Sequence, residues 1–491
     1  MILRGGLGYF LVLVGGLVVS VLPPSGPVAG LPLLEDLRAS MPGRMLGLSV
    51  VVLGLGLGVA AWLELVRYVA RRDRRTDAVA RGLVHRATVW WTAPLLVAPA
   101  MFSRDGWSYA AQGELTRLGL SPYVWAPSVL EGPVVEAVDP RWMDTLTPYG
   151  PVPLVWGGLV AEVTGSPWLM VVGHRVLAVA GLLLLGYAVP RMAAWAGRDP
   201  VLASALVLPS PVMLAHGVAG LHNDLLMVGL MALAVVVAVE HGWTLGAVLV
   251  GLAAAVKLPG GLAGVGVALA TLRVTAGRGR RVRRLTSVAA VSIGTLVAVG
   301  LVSGLGVGWV HALGVPGEVL TPLSLPTQTG RLVGLLLAPL ETGLTTDSVV
   351  SAARTLGSLA ALVFAGWVAL RAPTGVPAAA VRALGLVMLV LVVLGPVVHH
   401  WYLLWCLPLL ATCHLGSRAG AALLHASWLF GLVAPLDSSL RGAGTVIALG
   451  VGLVAVVALV QLLVHRANGA VPGAGVRPEG RADYPASSAA S

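Results

Sequence analysis

The chain has 491 residues, of which 57% are apolar and 11% charged, with 63 glycines and a mean hydropathy of +0.89. A soluble globular domain carries about 25% charged residues, so this composition excludes one and indicates a polytopic membrane protein. The net charge of +11, from 32 Lys+Arg against 21 Asp+Glu, resides in short loops rather than in a groove, so the basic residues report topology and give no sign of nucleic acid as a partner. Cys406 and Cys413 both lie in apolar stretches, which argues against a disulfide framework or a cysteine metal site.

In chain order, Arg4 precedes an apolar stretch near 7–22 that lacks a small-residue cleavage site and runs into Pro23-Pro24. It reads as a retained first helix and not as a signal peptide. Apolar runs of about 17–25 residues can cross a hydrocarbon core near 30 Å. Further runs fall near 45–68, 86–102, 168–190, 200–217, 223–239, 243–257, 259–272, 286–308, 349–370, 379–397, 402–416, 420–434 and 443–464. The expectation is an all-α helical bundle of about 13–14 transmembrane helices, the shortest of them tilted, broken or re-entrant.

Arginines at 71, 72, 74 and 75, at 278, 280, 281, 283 and 284, at 371 and 382, and from 466 onward mark cytoplasmic segments by the positive-inside rule. The apolar segment 151–164 is short and carries Glu162. Were it a span, Arg191 and Arg198 would move to the side of Asp105, so it is placed on the outer surface. Residues 103–167 then form one large external loop with two interfacial helices, separated by turns at Pro122, Pro127, Pro133, Pro140, Pro148 and Pro151. Both termini become cytoplasmic. The organisation expected is a two-helix membrane segment (1–85), a membrane catalytic module (86–464) and a disordered tail (465–491) rich in Gly, Ala, Pro and Ser.

Four polar motifs interrupt this apolar sequence: Ser103-Arg104-Asp105-Gly106-Trp107-Ser108-Tyr109, His222-Asn223-Asp224, Lys257-Leu258-Pro259-Gly260 and His399-His400-Trp401-Tyr402. The topology puts all four on the external side, which favours one shared site. Each also has a plainer reading. Arg104 and Asp105 can mark a helix end, Asn223 or Asp224 can cap the following helix, Lys257 can snorkel to the interface, and the His-His-Trp-Tyr run can belong to an aromatic belt. On the functional reading, Pro259-Gly260 breaks the helix after Lys257 and leaves backbone donors beside an ammonium, a spot suited to phosphate. Adjacent histidines point in different directions on a helix, so His399 and His400 are a poor metal pair, and no HExxH or CxxC pattern occurs.

Sugar transfer from a lipid phosphate carrier would use all these groups. A carboxylate deprotonates the attacking hydroxyl, cations stabilise the charge growing on the departing phosphate, and tryptophan and tyrosine stack on sugar rings. Trp107, Tyr109 and Tyr149 join the candidates on that ground. Two rivals stand beside this reading. A secondary anion transporter also uses broken helices and intramembrane charges, although the hydropathy has no inverted repeat; a transferase of another lipid-phosphate sugar is the second.

The segments SRDGWSYAAQGELTRLGLSPY, TPYGP, GLHNDLLMVGL, AAAVKLPG and HHWYLLW, in this order over roughly 85–410, resemble the actinobacterial polyprenol-phosphate-mannose-dependent α-1,6-mannopyranosyltransferases of the MptA/MptB type in the GT-C superfamily. The resemblance implies a GT-C fold with an external catalytic loop, a polyprenyl-phosphate-mannose donor, a growing mannan of the lipomannan or lipoarabinomannan core as acceptor, and inversion at the anomeric carbon. It assigns the base to Asp105, with Asp224 as the alternative base or an orienting acid. His222 and Asn223 would bind sugar hydroxyls, Lys257 and Arg104 the donor phosphate, and His399, His400, Trp401 and Tyr402 the sugar or phosphate on the far wall. Some members of the superfamily use a divalent ion, whereas users of lipid-phosphate mannose generally do not, so no obligatory metal or other cofactor is expected.

Overall fold

Helix α1 (Ile2–Val19) is closed at its C-terminal end by Arg38 of α2 (Pro32–Ala39), whose Nη1 donates to the carbonyls of Leu17, Val18 and Ser20 at 2.7, 3.1 and 3.0 Å. Those carbonyls have no partner within their own helix. The Ser40 hydroxyl caps α3 (Met41–Arg71) by accepting from Gly43 N. Helices α1 and α3 pack almost backbone to backbone, because a Cβ at Gly54 would run into the Gly8 carbonyl. Small residues at such crossings are how membrane helices approach closely. The computed structural model describes residues 1–314, 320–340 and 343–436, and in them no strand occurs.

Helix α4 (Asp77–Thr92) tightens into a 3₁₀ turn, Ala93–Val97, where Pro94 removes a backbone donor. The following loop contains α5 (Asp105–Arg117), α6 (Pro140–Met143) and α7 (Pro151–Val163), and then α8 (Pro167–Trp195) begins. The two longer of these helices, α5 and α7, meet where Gly113 lies against Gly157. Asp199 caps α9 (Pro200–Val207), accepting from Val201 N and Leu202 N at 2.9 and 3.1 Å. Pro209 and Pro211 interrupt this run, which resumes as a π-helix over Met213–Ala219.

The chain continues through α10 (Asp224–His241), α11 (Trp243–Val256), a 3₁₀ turn at Leu258–Leu262, α12 (Ala263–Thr271) and α13 (Arg278–Val302). Beyond these come α14 (Leu325–Leu337), α15 (Thr346–Arg371), α16 (Pro377–Leu394), a 3₁₀ helix at His400–Trp405, α17 (Leu407–Leu410) and α18 (Ser417–Leu432). Seven described helices, α1, α3, α8, α10, α13, α15 and α16, are long and apolar enough to cross a membrane, and α7, α11, Leu258–Thr271 and His400–Leu410 are shorter apolar helices. The protein is therefore an all-α polytopic membrane protein whose shorter apolar runs are broken helices. The expected span at 443–464 and the tail at 465–491 lie outside the described residues.

Basic loops meet one another. Arg72 pairs with Asp199 at 2.8 Å, Arg198 Nη1 donates to Cys413 O at 2.7 Å, and Arg281 Nη1 donates to Ala372 O at 2.6 Å. Helix α14 was not anticipated. Its buried face is Pro326, Thr327, Gly330 and Gly334, while Leu325, Leu332, Leu335 and Leu336 point outward. That is the reverse of a soluble amphipathic helix, so its polar stripe disguised it as loop.

Candidate active site

Both acids begin a helix. Asp105 opens α5 and Asp224 opens α10, each in the first turn, where exposed N–H groups favour negative charge. Neither helix has a capping side chain at its N-cap residue, Arg104 or Asn223. Capping alone therefore does not account for the His222-Asn223-Asp224 motif. Before each motif stands a non-glycine residue in the left-handed region, Phe102 with φ 64° and Leu221 with φ 57°. Such conformations persist only where surrounding structure imposes them, and they gather at functional sites.

Around Asp105, Oδ2 lies 3.3 Å from His222 Nδ1, 3.4 Å from the Tyr149 hydroxyl and 3.5 Å from the Tyr109 hydroxyl. The two tyrosine oxygens are 2.9 Å apart and their rings meet edge to face. The His222 contact is an ion-pair separation without hydrogen-bond alignment: neither of its ring nitrogens has an aligned partner among the described residues. Burial pushes the Asp105 carboxyl up, but the His222 imidazole, His399 and the Ser103 hydroxyl outweigh it and hold the group down at about 2. Burial drives His399 down to about 3 against the pull of Asp105. Burial and the Asp105 charge raise Tyr109 well above its ordinary value. At neutral pH the site thus presents a carboxylate facing phenols that keep their protons.

Tyr149 is carried to this place by the loop. Thr147 Oγ1 accepts from Tyr149 N at 3.3 Å and meets Gln112 Oε1 of α5 at 3.1 Å, and the Tyr123 hydroxyl donates to Tyr149 O at 2.9 Å. Next to it, Gly150 N donates to Val256 O at 3.0 Å, docking the turn on the end of α11.

At that end stands Lys257, whose Nζ donates to Asp224 Oδ1 at 2.9 Å. The same oxygen accepts from Trp405 Nε1 at 2.5 Å. The ammonium also lies 4.9, 5.3 and 5.5 Å from the ring centres of Tyr402, Trp405 and Tyr149, a cation–π environment. Lys257 is thus paired with Asp224, and Gly260 N donates to Lys257 O, so that one backbone donor is already used within the turn.

Trp401 is sandwiched between His222 and His399, with centroid separations of 3.7 and 4.2 Å and near-parallel planes. Tyr402 stacks on Trp405 at 4.2 Å. His400 turns away toward His216 and Phe430, each 6.2 Å off. The four motifs thus converge, from chain regions up to about three hundred residues apart, onto one patch. Trp107 Nε1 donates to Val21 O at 3.1 Å, fastening α5 to the end of α1, and Arg104 Nη1 donates to Val138 O at 3.3 Å within the loop. Among the described residues, no three His, Cys, Asp or Glu side chains converge as metal ligands.

Trp405, Ser103, His216 and Arg175 were given no individual role from sequence, although Ser103 and Trp405 lie within the quoted motifs. For Trp405 a signal existed: a 3₁₀ helix eclipses residues three apart, which puts Trp405 directly over Tyr402. Arg175 sits inside an apolar helix with no neighbouring motif, and nothing in its surroundings marked it.

Fold and site together define an all-α membrane protein with a buried, acid-centred polar site walled by aromatic rings. Residues 2–273 match the family model described as alpha-(1->6)-mannopyranosyltransferase, N-terminal domain, and residues 326–464 match the MptB C-terminal domain. The chain belongs to the MptA/MptB family of alpha-(1->6)-mannopyranosyltransferases. It is 33% identical to alpha-(1->6)-mannopyranosyltransferase A of Mycobacterium tuberculosis over 424 residues, covering 82% of this chain and 79% of that one. With a probable alpha-(1->6)-mannopyranosyltransferase of Mycolicibacterium smegmatis it shares 31% over 458 residues (86% and 80%). Against alpha-(1->6)-mannopyranosyltransferase B of Corynebacterium glutamicum the figure is 29% over 442 residues (84% and 72%).

Proposed function

We propose that this chain is an inverting mannosyltransferase that moves mannose from polyprenyl-phosphate-mannose onto a growing α-1,6-mannan at the external membrane face. Membership of the family supports mannosyl transfer. The observation that carries the rest is Asp105, an ionised carboxylate within reach of an imidazole and two phenols, beside a lysine and a stacked aromatic wall.

In this reading the acceptor's 6-hydroxyl attacks the donor's anomeric carbon from the face opposite the phosphate. Asp105 takes the hydroxyl proton as the new C–O bond forms. The bond from the anomeric carbon to the phosphate oxygen breaks, and the polyprenyl phosphate leaves with the electron pair. One displacement turns the β-linked donor into an α-linked product. Lys257, with two N–H bonds left after its contact with Asp224, and Arg104 stabilise the charge on the leaving phosphate. His222, Asn223 and Tyr109 bind sugar hydroxyls, while Trp401 and Tyr402 line the sugar.

Asp105 is favoured over Asp224 as base because its side chain is 13% exposed, whereas Asp224 is fully buried with one oxygen held by both Lys257 and Trp405. Asp224 then keeps Lys257 oriented. The reaction as written needs no metal.

The test supplies membranes containing the protein with radiolabelled polyprenyl-phosphate-mannose and a short α-1,6-mannoside. Wild type is expected to transfer label, and Asp105→Asn to lose about 10²–10⁴-fold, the usual contribution of a positioned base. Absence of transfer by wild type, or full transfer by the variant, overturns the reading. For the face, Ser128→Cys, at an exposed position of the loop, is expected to react with an impermeant thiol reagent in intact cells; labelling only after lysis would reverse the topology.

A further inference from the structure

Arg175 lies in α8 and is 1% exposed. Its Nη2 donates to Pro99 O at 2.7 Å and reaches Ala219 O at 3.4 Å, while Nε and Nη1 have no hydrogen-bond partner among the described residues. No ion pair to Arg175 forms among those residues either. A guanidinium buried in this way is costly and is retained only where it does a job. The carbonyls it holds close the two turns that carry the acids. Pro99 stands four residues before Ser103, and Ala219 three before His222.

Three further features place strain at the same junction. Met101 N donates to Ala219 O at 3.1 Å, joining the turns backbone to backbone. Phe102 and Leu221, the residues in the left-handed region, lie one residue after Met101 and two after Ala219. Gly106 fills the remaining gap, since a Cβ there would lie 2.9 Å from Ala100 Cβ and 3.1 Å from Leu221 Cδ2. Helical runs end at Val97 and at Ala219, and a cation among carbonyl ends is favourably placed.

We infer that Arg175 is a positioning residue whose guanidinium clasps the turns at 99–103 and 219–222 and thereby fixes the separation of Asp105 from His222. It acts through the backbone and touches neither side chain. The inference rests on Asp105 being the base. With the clasp gone, the strained turns relax, His222 moves off, and Asp105 is left among Tyr109, Tyr149 and His399, with Arg104 and the Lys257–Asp224 pair nearby. Burial then raises its affinity for a proton.

The experiment measures mannosyl transfer by the purified full chain, as kcat and donor KM across the acidic range, for wild type, Arg175→Met, Arg175→Lys and Gly106→Ala, with a melting curve for each. Arg175→Met is expected to lose at least about tenfold in kcat, because small displacements of reacting groups are that costly, with little change in donor KM. Its acidic limb of kcat/KM moves to higher pH. Arg175→Lys, which keeps a cation on the carbonyls, recovers part of both, and Gly106→Ala reproduces the limb shift with the guanidinium in place. A folded Arg175→Met with wild-type kcat, or with reduced kcat and an unmoved limb, overturns the clasp. If Arg175→Met does not fold, a wild-type limb in Gly106→Ala overturns it. Failure of wild type to transfer mannose would instead defeat the functional reading, which separates the two.

Discussion

Lys257 Nζ lies 2.9 Å from Asp224 Oδ1, an ion pair between the end of α11 and the start of α10 whose side chains are 12% and 0% exposed. Two buried opposite charges tolerate burial only together, and removing one strands the other at a cost of about 3–5 kcal/mol. Lys257→Met is expected to lower the melting temperature of the detergent-solubilised protein, and the double variant Lys257→Met/Asp224→Asn to regain part of the loss. A double variant that melts no higher than the single one would show that the two charges are not coupled.

The Asp105–His222 contact makes a prediction about pH. Asp105 is held below the ordinary carboxylate range although burial opposes this, with the imidazole as the main lowering influence. His222→Gln removes that influence, so the carboxyl takes up a proton at higher pH than in wild type, and on the proposed mechanism the base is lost sooner on acidification. The acidic limb of kcat/KM is expected to shift upward in pH for His222→Gln. A profile superimposable on wild type would mean either that Asp105 is not the titrating base or that His222 does not set its affinity.

Convergence of the four motifs was legible in the sequence because each places polar residues where apolar sequence surrounds them, and a folded bundle has few places to put such groups. Pairing within the patch was less legible. Asp224 and Lys257 are 33 residues apart, on opposite arms of a helical hairpin that turns at Gly242, where φ is 103°. The turn was visible, but the register of the two arms depends on packing at Gly246 against Ala238, which no hydropathy pattern encodes. The direction of Trp107 was not legible for a related reason. Its neighbours in sequence face the patch, while its own direction on α5 points it at the end of α1.

Trp405 is expected to matter more than its absence from the sequence-derived site suggests. Its indole N–H is one of two donors on Asp224 Oδ1, and Asp224 Oδ2 has no partner among the described residues. Trp405→Phe keeps a ring near Lys257 and Tyr402 but leaves the carboxylate with a single donor. A hydrogen bond to a charged group contributes about 1.5–3 kcal/mol, so the variant should melt lower and transfer mannose more slowly, while Trp405→Tyr should do no better if its hydroxyl cannot reach Asp224. Unchanged melting and rate in Trp405→Phe would make the indole contact dispensable.

Gly150 tests whether the loop positions Tyr149. Its N–H donates to Val256 O, and a Cβ at this position would run into the Ala255 carbonyl. The turn docks on α11 only because there is no side chain between the two backbones. Gly150→Ala should force them apart at a cost of about 1–3 kcal/mol, as overpacking usually does, and should draw the Tyr149 hydroxyl away from Asp105 and Tyr109. Gly165→Ala is the matched control, since a Cβ there meets nothing within 4 Å. The expected result is a lower melting temperature and slower mannosyl transfer for Gly150→Ala alone. Equal behaviour of the two variants would show that Tyr149 is held by the Thr147 and Tyr123 contacts without the backbone docking at Gly150.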